Sequence, residues 1–179
     1  MKRRTHLRYM VGGALAITVN PLEVWAKVDK ASNTPKDLGR LLEALTDQIL
    51  EVPEATTTEL NQWANFVHCY ANDFVSPAKK AAFYLGCEKW QAQCQKQYNT
   101  VYEQLNRKKQ KEVLQRLFDS PVQEDFPEAQ QWAAQLRSYV LFAFYTSERG
   151  ATKQLAYVPI PGKYEGDLPL QPNQKAWTL

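Results

Sequence analysis

Acid–base, nucleophilic and metal chemistry all need particular side chains held close together, and few candidates occur here. Beyond residue 26 the histidine is His68, next to Cys69 in an aromatic-rich stretch, with no second histidine or carboxylate at ligand spacing. It reads as a packed or partly exposed structural residue. Cys87 and Cys94 complete the cysteines. On one helix their spacing puts them about 10 Å apart at ~1.5 Å per residue, farther than the roughly 7 Å between bridged α-carbons. They cannot pair with each other. Cys69 can reach one of them from a neighbouring helix, or all three can serve as small buried hydrophobes, and the sequence supports both readings. Three scattered thiols lack the close spacing of an iron–sulfur site. There is no glycine-rich phosphate loop, no Gly-x-Ser-x-Gly elbow and no Cys-x-x-Cys pair. The chain therefore reads as having no catalytic, cofactor-binding or metal site of its own.

The basic residues point elsewhere. The start, MKRRTHLRYMVGGALAITVNPLEVWAKVDKA, has a basic head, a weakly apolar stretch and a small-residue site ending at Ala26. This is the layout of an export signal. Adjacent Arg3 and Arg4, followed by Leu7, fit the twin-arginine type that carries folded cargo, with Lys2 and His6 departing from the usual pattern. The weak hydrophobicity of Gly12, Gly13 and Ala14 favours that route over the general secretory one. Setting aside Lys2, Arg3, Arg4, Arg8 and Glu23 removes the whole formal charge of +3 and leaves acids and bases balanced. A neutral remainder gives no electrostatic reason for nucleic acid as a partner. The run NRKKQKE at 106–112 reads as a solvated helix start.

With 179 residues the chain suits one domain: an export signal over 1–26, a helical bundle over 27–150, and an extended, Pro/Gly-rich C-terminal tail over 151–179 of the same domain, expected to dock on a partner. Thr34, Pro35 and Asp37 mark a helix start, and Leu38, Leu41, Leu42, Leu45 and Ile49 then recur at helical spacing over 35–51. A second helix carries Leu60, Trp63, Val67, Tyr70 and Phe74, closed by Ser76 and Pro77. A long third helix is predicted from Ala78 to Leu105, its seam running through Tyr84, Cys87, Cys94, Tyr98, Val101 and Leu105. A short one follows with Val113, Leu114, Leu117 and Phe118. The last, over 127–149, places Trp132, Leu136, Tyr139, Val140 and Ala143 on one side, with Gly150 as its left-handed stop and Arg149 at the negative end of its dipole. Five helices with short connections predict an all-α bundle.

After Gly150 the period is lost but the apolar residues continue, in FYTSERGATKQLAYVPIPGKYEGDLPL. Loops are usually polar, so these side chains need cover. Fully extended, about thirty residues reach roughly 100 Å, well beyond a bundle of ~30 Å helices. The stretch can fold back on its own bundle or lie in a groove of a second protein, where its prolines lower the ordering cost and its tyrosines act as anchors.

The segment YTSERGATKQLAYVPIPGKYEGDLPL, followed by KAWTL, resembles the C-terminal signature of the gluconate 2-dehydrogenase subunit 3 family. The likeness is concentrated from Tyr145 to Trp177, and the helical body, with LLEALTDQILEV at 41–52, is compatible but less specific. The resemblance implies a non-catalytic small subunit. In such complexes a large flavoprotein subunit of the glucose-methanol-choline (GMC) type holds FAD and oxidises an alcohol or hemiacetal carbon of a sugar, sugar acid or polyol. A cytochrome c subunit is a further partner that the resemblance allows. The small subunit serves maturation and export of its folded partner through the twin-arginine translocase, which implies a periplasmic location, with any attachment to the membrane made through the complex. Arg3, Arg4, Leu7 and Ala26 are then the export signal. The expected partner interface comprises Tyr145, Thr146, Ser147, Glu148, Gly150, Tyr157, Ile160, Pro161, Gly162, Tyr164 and Trp177. The competing expectation is a free-standing periplasmic helical binding protein whose C-terminal stretch packs on itself.

Overall fold

The computed structural model describes residues 36–119 and 126–156, together with positions 169, 172, 175 and 176. The predicted export signal, with Arg3, Arg4, Leu7 and Ala26, lies outside the described residues, as does the helix start at Thr34 and Pro35. Within them the fold is all-α, as the apolar periods predict. It comprises α1 (Lys36–Leu50), α2 (Thr57–Asp73), α3 (Pro77–Tyr98), a 3-10 turn (Tyr102–Gln104), α4 (Arg107–Asp119), α5 (Ala129–Tyr145) and a π-helical turn (Gly150–Gln154).

α5 is the central element and packs against each of the other four helices. Its sequence explains the position. Ala129, Trp132, Ala133, Leu136, Tyr139, Val140, Ala143 and Phe144 are all buried, so its apolar stripe is wide and continuous. α1 packs chiefly on α2, contributing Leu41, Leu42 and Leu45 at 2% exposure or less. Trp63, Phe66 and Val67 of α2 and Phe83 and Trp90 of α3 complete an aromatic core with Tyr102 and Phe126. Fully burying each such side chain contributes on the order of 2–3 kcal/mol.

α3 departs from its predicted course in two ways. It ends at Tyr98 rather than Leu105, because Asn99 takes a left-handed conformation (φ 55°) that stops the helix. The chain then turns so that Tyr102 enters the core. There its N–H donates to Gln91 Oε1 (3.0 Å) and its hydroxyl to the Gln110 carbonyl (3.2 Å). Gln110 in turn donates to the Tyr102 carbonyl (3.2 Å) and accepts from Gln48 of α1 (3.3 Å). A polar junction rather than an extended helix joins α1, α3 and α4. The seam of α3 is also shifted: Phe83, Gly86, Cys87, Trp90 and Cys94 are buried, whereas Tyr84 and Tyr98 are half-buried. Gly86 is required by a close approach. A Cβ there would sit 2.0 Å from the Trp132 ring of α5, whose indole N–H donates to the Phe83 carbonyl (3.1 Å).

Three of the basic residues at the start of α4 pair with acids of α1, of the residue that follows α1, or of their own helix. Arg107 pairs with Asp47 (2.9 Å), Lys111 with Glu51 (2.6 Å), and Lys109 with Glu112 (3.1 Å), which also meets Arg116.

Candidate docking surface at the end of the central helix

α5 ends at Tyr145, short of the predicted Arg149, and the next residues satisfy its last carbonyls from their own side chains. The Thr146 hydroxyl donates to the Phe142 carbonyl (2.7 Å) and the Ser147 hydroxyl to the Phe144 carbonyl (2.6 Å). Ser147 then accepts from the Gly150 N–H (3.2 Å). Gly150 is not the left-handed stop that its position predicts, since its φ is not positive. It is glycine because a Cβ would lie 2.0 Å from the Phe144 carbonyl oxygen. The π-turn that starts there closes with Leu155 N–H on the Gly150 carbonyl (3.1 Å).

Arg149 does not serve the α5 dipole as its position suggests; it spans to the start of α2. Its Nε donates to Glu59 Oε1 (2.6 Å) and its Nη2 to Glu59 Oε2 (3.0 Å), a two-pronged fork, with a further bond to the Glu54 carbonyl (3.3 Å). Glu59 is already committed to Thr56. It accepts from the Thr56 N–H (2.9 Å) and hydroxyl (2.9 Å) while its own N–H donates to that hydroxyl (3.2 Å), forming the capping box of α2. The Arg149 bond, then the Thr56 N–H, hold the Glu59 carboxyl down at about 2. The spacing of Thr56 and Glu59 before an apolar run signals that box in the sequence. The link to Arg149 carries no comparable signal, because ninety positions separate the partners.

Beside this link lies a shallow groove of about 430 Å³, lined by Gln62, Trp63, Thr146, Glu148, Arg149 and Lys153 among others. Tyr145, which precedes the lining residue Thr146 in the chain, is 43% exposed, and with Leu85 it is one of two large apolar side chains exposed among the described residues. Past the π-turn, the Ala156 N–H donates to the Ala176 carbonyl (2.8 Å), and the Lys175 ammonium meets the Lys153 carbonyl. The chain at Lys175 and Ala176 therefore lies beside the π-turn and Ala156.

A family model described as gluconate 2-dehydrogenase subunit 3 matches residues 36–162. The chain belongs to this family. Its name describes one subunit of a dehydrogenase, a chain that works beside others. No curated protein and no solved structure matches the chain. The match starts where α1 starts and takes in every described helix, the Arg149 link and Gly162. The match thus covers both the helical body and the segment from Tyr145 to Gly162, while Tyr164 and Trp177 lie beyond it.

In this member of the subunit 3 family, the expected interface residues fall into two groups. Tyr145, Thr146, Ser147, Glu148 and Gly150 are brought together at the end of α5. Tyr157, Ile160, Pro161, Gly162, Tyr164 and Trp177 lie outside the described residues. His68 is half-buried, its Nδ1 3.1 Å from the Tyr84 hydroxyl, and burial lowers its pKa. Among the described residues no group of three His, Cys, Asp or Glu side chains is placed to hold a metal. No disulfide joins Cys69, Cys87 and Cys94; all three are buried thiols, so the single-bridge reading is replaced by the hydrophobic one.

Proposed function

We propose that this chain is the non-catalytic small subunit of an FAD-dependent dehydrogenase that oxidises a sugar, sugar acid or polyol, and that it escorts its folded GMC-type flavoprotein partner through the twin-arginine translocase to the periplasm. FAD belongs to the partner in this reading, and a cytochrome c subunit is the natural onward electron carrier. The observation that carries it is the subunit 3 family match across residues 36–162. The adjacent arginines of the first residues support the export role, since that route accepts cargo already folded. The partner docks on the C-terminal segment from Tyr145 onward, whose exposed tyrosine is the type of anchor that dominates interfaces.

Affinity purification of the full chain from its native host tests the reading. The expected result is a stoichiometric yellow flavoprotein of much larger mass, recovered from the periplasmic fraction. In the Arg3→Lys, Arg4→Lys variant both proteins stay in the cytoplasm. A chain recovered alone, or a partner exported normally beside that variant, overturns it.

A further inference from the structure

We propose that Arg149, Thr146 and Ser147 form a clasp that sets the direction in which the C-terminal stretch leaves the bundle, and that Tyr145 and Glu148 are the residues of this segment that meet the flavoprotein subunit. The proposal rests on the partner reading above and divides the expected interface into residues that position and residues that touch. The division follows from where each polar group is already used. The hydroxyls of Thr146 and Ser147 are bound to the Phe142 and Phe144 carbonyls. Ser147 is 8% exposed and Gly150 is pressed on the backbone of Phe144. Three bonds of Arg149 run to Glu59 and Glu54. These polar groups are already engaged within the chain. Tyr145 and Glu148 are exposed.

A forked arginine–carboxylate contact fixes orientation as well as distance. Because Glu59 is itself held by Thr56, the fork ties the exit of the stretch to the first turn of α2. From Arg149 the π-turn runs through Gln154 to Ala156, whose N–H is bound to Ala176. A segment held this way loses little freedom when it docks.

The test uses the full chain, alone and co-produced with the flavoprotein subunit. In Arg149→Ala the helical spectrum and cooperative melt remain, amide exchange at Leu155 and Ala156 accelerates about tenfold as local opening becomes easier, and retained flavoprotein falls. Arg149→Lys restores part of both, since an ammonium cannot make the fork. In Tyr145→Ala with Glu148→Ala, exchange stays at the wild-type rate while retention is lost. Unchanged exchange in Arg149→Ala, faster exchange with undiminished retention, or full retention by the Tyr145, Glu148 variant each overturns the proposal. A wild-type chain that retains no flavoprotein refutes the partner reading, and the exchange comparison still decides the clasp.

Discussion

Glu59 stands at the start of α2 and answers to two partners at once, Thr56 at the cap of its own helix and Arg149 from ninety positions farther along the chain. Its carboxyl is held at about 2 in the folded chain, against an ordinary 4.5. A carboxyl lowered on folding adds stability that is complete above the unfolded value and is lost as pH falls through the folded one. The window for Glu59 is therefore about pH 4.5 down to 2. Glutamine keeps an acceptor for the cap but removes the charge, so Glu59→Gln is expected to lose about 1 kcal/mol at pH 7. The gap to wild type should close on acidification, as read from urea melts at pH 7 and near pH 2. A gap of constant size would show that the charge contributes nothing. At this scale the sequence is legible only locally. Thr56 and Glu59 sit three residues apart and declare a cap, whereas Arg149 gives no hint of which carboxylate it will meet.

At the scale of helices, apolar period located the five α-helices, misplaced the C-terminal ends of α3 and α5, and missed the two short turns that follow those ends. The period of α3 runs on through Val101 and Leu105, yet the helix stops at Tyr98 because Asn99 accepts a left-handed backbone and Tyr102 gains a buried polar junction. Period records which face is apolar; it is silent about where a tertiary bond outcompetes the next helical one. The seam of α3 was displaced for a related reason. Gly86 has no side chain for a period to count, yet it is where Trp132 lies against the helix backbone. Gly86→Ala is expected to cost about 1–3 kcal/mol by overpacking, despite alanine's better helix propensity. Thermal melts of the two proteins decide it, and an unchanged or higher melting temperature would mean that α3 and α5 can separate at no cost.

Over the whole molecule the three cysteines become one property. Cys69, Cys87 and Cys94 come from two helices and all lie in the core. Burial pushes the Cys87 and Cys94 thiols up to about 12. Little thiolate forms near neutral pH, and reagents have no path to it. The native chain should react with none of an aromatic disulfide reagent, and the denatured chain should release three equivalents. Two missing equivalents would reveal a disulfide. Sequence spacing excluded a Cys87–Cys94 bridge, but it could not decide on Cys69, whose distance to the others depends on how α2 and α3 pack. The C-terminal stretch marks the same limit: its composition announces that something must cover it, while its return to Ala156 is visible only in three dimensions. That return bears on encounter. The bond between Ala156 and Ala176 sets two points of the chain, far apart in sequence, side by side next to Lys153. A partner seated there meets both points at once, so its second contact forms as an intramolecular step at high effective concentration rather than by a separate encounter.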